Sequence, residues 1–161
     1  MTQILVVSGN PRPGSRTSVL AAAVGEALAD GSSPAVVEVG ELGTGLLTPG
    51  DPATAAAVTA LREADLLVIA TPTYKGSYTG ILKVLLDQLP AQALAGKRAV
   101  PVVTAGVAPQ AAAAEALLRQ LLTELGAEVL PGLPVVEADL PSGKALADAY
   151  AQDFHRSATA S

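Results

Sequence analysis

Between Ser8 and Ser18 the chain reads SGNPRPGSRTS, a stretch suited to receiving a negative charge. Ser8, Asn10, Ser15, Thr17 and Ser18 bring short hydrogen-bonding side chains. Arg12 and Arg16 bring positive charge, and Gly9 and Gly14 let the backbone come close to a ligand. A helix that follows such a loop adds free amides and the positive end of its dipole, so a phosphate is the natural guest. A solvated turn with a Ser/Thr cap and arginines in water would account for the composition alone. The order of strand, loop and helix, starting at residue 4, favours the phosphate.

Which phosphate is narrowed by what is missing. Gly9 and Gly14 have the spacing of a nucleoside triphosphate loop, but Ser15 stands where its lysine would be. A triphosphatase also needs a carboxylate after a later strand to hold its metal, and the strand over 66–70 runs instead into Thr71 and Pro72. A GxGxxG fingerprint is absent, since Gly43 and Gly45 fall in GTGLLT, which follows no tight strand-to-helix turn. A phosphatase on such a loop needs a nucleophilic cysteine, and the chain has none. What remains is a phosphate held and not reacted, which means a cofactor. No acid–base pair stands out, no metal site is expected, and the single histidine, His155, reads as a surface residue.

The second chemical stretch is TPTYKGSYTGILKVLLDQLP, residues 71–90. It follows the apolar run 66–70, which suits a strand buried on both faces. Pro72, Thr73, Tyr74, Lys75, Gly76 and Ser77 offer backbone amides and one aromatic ring, suited to a flat polar heterocycle. The plainer reading makes Tyr74 a half-buried packing residue and Lys75 a solvated one. Thr104, Ala105 and Gly106 border the same crevice if strands one, three and four are neighbours at the centre of the sheet. Ligands of open parallel sheets sit there, beyond the carboxyl ends of the strands.

These loops need elements to position them. Strands are expected over 4–7, 35–39, 66–70 and 98–103. A fifth, over 128–130 and 133–136, is broken by Pro131 and Gly132. A first helix over 19–29 carries Val19, Leu20, Ala23, Val24 and Leu28 on one face and ends at Gly31 and Pro34. Residues 40–50 read as a glycine-rich loop. Asp51 caps a helix that has Pro52 at its first position and runs to 64. A helix over 77–89 carries Ile81, Leu82, Leu85, Leu86 and Leu89 and stops at Pro90. Others cover 111–125 and 142–154, the last with Leu146, Ala149, Tyr150 and Phe154 on one face. Strands alternating with helices predict an α/β fold: a doubly wound, five-stranded parallel sheet with helices on both faces. Residues 1–156 read as one domain and 157–161 as a flexible tail.

Composition bounds the function. In 161 residues, hydrophobic side chains make up 50% and charged ones 16%, which suits a folded, aliphatic core. Ten basic and 15 acidic residues leave a net charge of −5, which argues against a nucleic-acid or membrane surface. No run of roughly 18 apolar residues and no signal segment is seen, so a cytoplasmic location is expected.

Taken together, SGNPRPGSRTS followed by ATPTYKGSYTGILKVLLDQLP resembles the NAD(P)H-dependent FMN reductases of the flavodoxin-like superfold. The resemblance is greatest to the sulfonate-utilisation reductases, which supply reduced flavin to a monooxygenase. It covers about residues 3–136, and its second motif is the more specific. By that resemblance the cofactor-binding residues begin with Ser8. Asn10, Arg12, Ser15, Arg16 and Thr17 hold the FMN phosphate. Pro72, Thr73, Tyr74, Lys75, Gly76 and Ser77 line the isoalloxazine ring, and Thr104, Ala105 and Gly106 close its other side. The 77–89 helix packs against a partner subunit in such proteins, which implies a homodimer or homotetramer. Some sulfonate-linked members carry an extra aromatic residue that bulges the helix after strand four. Here 110–125 reads as a regular helix, with Ala112, Glu115 and Ala116 at that place, which implies FMN retained as a prosthetic group.

The activity so implied is hydride transfer from NADPH or NADH to FMN, with no catalytic side chain required. Electrons or reduced flavin then pass to an acceptor such as a flavin-dependent monooxygenase. Three alternatives stay open: an FMN-dependent quinone, azo or chromate reductase, a non-enzymatic flavodoxin-like electron carrier, and a binding module without redox chemistry.

Overall fold

The strands β1 (Ile4–Ser8), β2 (Ala35–Glu38), β3 (Leu66–Pro72), β4 (Arg98–Ala105), β5 (Glu128–Val129) and β6 (Leu133–Val136) form one sheet in a computed structural model that describes residues 2–159. The order is β2-β1-β3-β4-β5, with β6 also on β4, and every pairing is parallel. This is the flavodoxin-like order, in which the succession of strands across the sheet reverses between β1 and β3. The helices are α1 (Arg16–Leu28), α2 (Val39–Leu42), α3 (Pro52–Glu63), α4 (Gly80–Leu86), α5 (Ala108–Glu124) and α6 (Gly143–Thr159). Two short 3-10 segments, Gly43–Leu47 and Glu137–Ser142, complete the chain. None of these helices is long and apolar enough to cross a membrane.

Alternate strand residues feed two cores. Val6, Leu66, Val68, Val100 and Val102 meet Leu20, Val24 and Leu28 of α1 and Ala147 and Ala151 of α6. Leu5, Val7, Leu67, Ile69 and Val103 meet Leu61 of α3, Leu82, Leu85 and Leu86 of α4, and Leu118 and Leu122 of α5. All of β3 is buried, which is why LLVIA shows no polar alternation.

Several boundaries differ from the expected ones. The first helix begins at Arg16, because Ser15 caps it by accepting the Ser18 N–H, so Arg16 and Thr17 lie in its first turn. Its buried face is Thr17, Leu20, Ala21, Val24 and Leu28, and Val19 is 64% exposed. Val39 leaves β2 to open α2, and much of 40–50 is helical. The helix expected over 77–89 is only Gly80–Leu86, started by the Thr79 cap, with Leu89 buried beyond its end. β4 carries on through Thr104 and Ala105. α6 runs to Thr159, so 157–159 are helical where a tail was expected. Neither Ser157 nor Ala158 breaks a helix, and the Thr159 hydroxyl donates to the Arg156 carbonyl. Residues 160 and 161 lie outside the described residues. His155 is half-buried, packed edge-on to Phe154 at 5.3 Å, with Nε2 enclosed.

The broken fifth strand has a physical cause in β4. The Leu130 N–H donates to the Ala99 carbonyl, and continuing that register makes Pro101 the donor to the Leu130 carbonyl. Proline has no N–H to give. Arg119 supplies the missing bond: its guanidinium donates to the Leu130 carbonyl at 2.9 Å and the Val129 carbonyl at 3.3 Å, oriented by Glu115 at 2.7 Å. The Tyr150 hydroxyl donates to the next carbonyl, that of Pro131. A Cβ on Gly132 would overlap the Glu115 carboxylate, so any other residue there would push Glu115 from its place beside Arg119.

Burial pushes the Tyr150 hydroxyl up from its ordinary 10.0 to about 12, against a smaller opposing pull from Arg119. Because the folded value lies above the unfolded one, this contribution to stability is complete below pH 10 and is lost as pH rises toward 12. Urea melts at several alkaline pH values should show wild type losing stability relative to Tyr150→Phe across that window. Parallel pH profiles of the two proteins would contradict the assignment.

Candidate functional site

The carboxyl ends of β1, β3 and β4 are tied together by hydrogen bonds. The Gly9 N–H donates to the Ala70 carbonyl at 2.8 Å, and the Gly9 carbonyl accepts the Thr79 hydroxyl at 2.6 Å. A Cβ on Gly9 would stand 2.9 Å from the Leu82 Cβ, so only glycine lets β1 reach the start of α4. The buried Thr17 hydroxyl lies 2.9 Å from the Thr104 hydroxyl, pinning the first turn of α1 to β4. Thr73 donates to the Thr104 carbonyl at 2.9 Å, pinning the β3 loop to the same strand.

The first loop turns on Asn10, whose buried Oδ1 accepts the Arg12 N–H at 2.9 Å. Arg12 and Gly14 are exposed, with Gly14 at φ 70°. The Ser8 hydroxyl lies 2.7 Å from that of Ser18, and Ser15 lies 3.1 Å from it. Ser18 donates to Glu38 at 2.6 Å, and the Gly14 N–H donates to the other oxygen of Glu38 at 2.5 Å. Arg16 extends outward, 3.8 Å from Glu137.

In the second loop, Tyr74 and Ser77 exchange N–H to carbonyl bonds of 2.9 and 3.2 Å. Lys75 and Gly76 between them have φ of 54° and 82°, the positive pair of a tight type I′ hairpin turn. The turn presents Tyr74, 45% exposed, at its base. Lysine in the left-handed region carries strain that asparagine tolerates better. Lys75→Asn should therefore raise stability by about 0.5–1 kcal/mol in chemical denaturation. An unchanged or lower midpoint would place the strain elsewhere.

The expected site residues thus fall into two groups. Ser8, Asn10, Thr17, Pro72, Thr104 and Ala105 are buried beneath the rim. Arg12, Arg16, Tyr74, Lys75, Gly76 and Gly106 are exposed on it, with Ser15, Thr73 and Ser77 partly covered. Backbone at Gly14, Gly76 and Gly106 faces open space, with nothing among the described residues within 4 Å of an added Cβ. Sequence reasoning passed over Thr79 and Glu38. Thr79 had a signal, a threonine just before an apolar helical run. Glu38 had none, since it meets Gly14 only through folding.

The sequence pattern of the family described as NADPH-dependent FMN reductase matches residues 2–139. The chain belongs to that family. Its FMN reductase relatives include one named FMN reductase (NADPH) from Escherichia coli (strain K12), 45% identical over 74 residues, covering 45% of this chain and 39% of that protein. The matched stretch therefore spans well under half of the E. coli reductase. NADH-dependent FMN reductase SfnF of Pseudomonas fluorescens (strain Pf0-1) is 34% identical over 146 residues, covering 85% of this chain and 78% of its own. Among solved structures, the apo form of NADH:FMN oxidoreductase (EMOB) superposes with a TM-score of 0.81 at 32% identity, over 95% of this chain and 90% of that one. Among the described residues no group of three or more His, Asp or Glu side chains could hold a metal ion.

Proposed function

We propose that this chain is an NAD(P)H-dependent FMN reductase that binds FMN at the carboxyl ends of β1, β3 and β4. The observation that carries this is the meeting of the three loops at the β1/β3 switch point, with open backbone at Gly14, Gly76 and Gly106. The residues suit the cofactor. The amino end of α1 with Ser15, Arg12 and Arg16 offers donors and charge for the phosphate, and Asn10 and Thr17 shape the loop beneath it. The Pro72–Ser77 segment and Thr104, Ala105 and Gly106 form two walls for a flat ring.

Bound FMN supplies the redox chemistry, accepting hydride from NADPH or NADH. The chain supplies position. Thr17, Thr73 and Thr104 lock the walls to the sheet, and the type I′ turn fixes Tyr74 beside the crevice. Holding two flat rings in register is worth several powers of ten in rate. No side chain has to move a proton, which accords with a crevice rimmed by hydroxyls, amides and arginines.

The uninterrupted α5 supports FMN kept as a prosthetic group. Ile81 and Val84 of α4 are half-buried, and Leu47 nearby is 77% exposed. They offer a partner copy an apolar strip for a homodimer or homotetramer. A flavin-dependent monooxygenase is the proposed acceptor, and the cytoplasm the proposed location. The test is a visible spectrum of the purified protein followed by anaerobic addition of FMN and NADPH or NADH. Flavin absorbance that bleaches with either nicotinamide is expected. A colourless protein that takes up no FMN and leaves both nicotinamides untouched would sink the reading.

A further inference from the structure

The loop assigned to the phosphate already contains an anion. Glu38, the last residue of β2 and paired in register with Ser8, accepts the Gly14 N–H on one oxygen and the Ser18 hydroxyl on the other. Ser18 has a single hydroxyl proton, and it goes to Glu38. Its oxygen must therefore accept from Ser8 at 2.7 Å and Ser15 at 3.1 Å. The hydroxyl protons of Ser8 and Ser15 thus point along a chain that ends at the Glu38 carboxylate. Donors that the sequence offers a phosphate are turned toward an internal acid.

We propose that Glu38 is an affinity-determining residue that competes with the FMN phosphate for the loop and weakens its hold; this rests on the FMN reading above. Two effects act in the same direction. A donor committed to Glu38 must leave it to serve the phosphate. A half-buried carboxylate beside the phosphate seat also repels a dianion at an effective dielectric well below that of water. Glu137 faces Arg16 in a similar way, but that pair is 3.8 Å apart and exposed on both sides, so it contributes little. Glu38 is the acid that matters.

Flavin titrations followed by fluorescence quenching test this with wild type, Glu38→Gln, Glu38→Ala and Glu137→Gln, each against FMN and against riboflavin, which lacks the phosphate. Glutamine keeps the shape: its carbonyl accepts from Gly14, and its amide donates to Ser18, reversing the hydroxyl chain. Glu38→Gln should tighten FMN about five- to tenfold and leave riboflavin within about twofold. Glu38→Ala should raise the ratio of FMN to riboflavin affinity in the same direction, and Glu137→Gln should move it less than about twofold. An FMN affinity unchanged or weakened in Glu38→Gln, or riboflavin shifting in step with FMN, would overturn the proposal. Wild-type protein that binds neither flavin would instead remove the FMN reading on which it stands.

Discussion

Gly40→Ala is expected to cost about 1–3 kcal/mol of stability and to weaken FMN binding by up to about a hundredfold. Gly40, in the short α2, lies directly against the first loop. An added Cβ would overlap the Pro11 carbonyl oxygen, stand 2.7 Å from its carbon and 2.8 Å from the Asn10 carbonyl oxygen. These are backbone atoms, and a Cβ has no rotamer to escape into. Either α2 or the segment around Asn10 and Pro11 must shift, and that segment positions Arg12. Thermal melts and an FMN titration check both halves. A variant with wild-type melting temperature and affinity would mean that α2 and the loop are not packed this closely. Gly14→Ala is the useful contrast: it strains a positive φ but meets no atom among the described residues.

Thr79→Val should cost about 2–4 kcal/mol, the sum of an unpaired buried carbonyl and a lost helix cap. The Thr79 hydroxyl donates to the Gly9 carbonyl at 2.6 Å and accepts the Leu82 N–H at 3.3 Å, and the residue is buried. Valine keeps the volume and removes both bonds. With only 7 residues, α4 depends on its cap and its packing more than on its own propensity. Thr79→Ser, which keeps the hydroxyl, should lose about 1 kcal/mol or less in the same denaturation experiment. A Thr79→Val loss no larger than that of Thr79→Ser would show that the two hydroxyl bonds contribute little.

The central strands were legible because burial on both faces leaves its mark in composition. LLVIA in β3 and the run before Thr104 in β4 admit almost no polar residue. The expectation of a ligand beyond the ends of β1, β3 and β4 followed from that, and the motif over 71–90 pointed to the family. Where the first loop ends was not legible, since Ser15, Arg16, Thr17 and Ser18 suit a loop and a first helical turn equally well, and the Ser15 cap decides it. Residues 40–50 misled for another reason. Two of their glycines make close approaches, Gly40 against Pro11 and Gly45 against the Asp51 carboxylate, within helical segments. The part played by Glu38 is a contact between a strand end and a distant loop, and no local pattern announces it.

The proline in β4 and the bend it imposes on β5 and β6 bear on how the protein behaves when crowded. A long free strand at a sheet edge is a template on which another chain can add, and the start of ordered aggregation. Here one rim is the short β2 (Ala35–Glu38). The other is split into Glu128–Val129 and Leu133–Val136, bent at Pro131, deprived of a donor at Pro134, and with the Val129 carbonyl taken up by Arg119 and that of Pro131 by Tyr150. Neither rim offers an incoming strand a long unbroken row of partners. An incoming copy therefore finds no long free edge on which to add a strand and propagate the sheet.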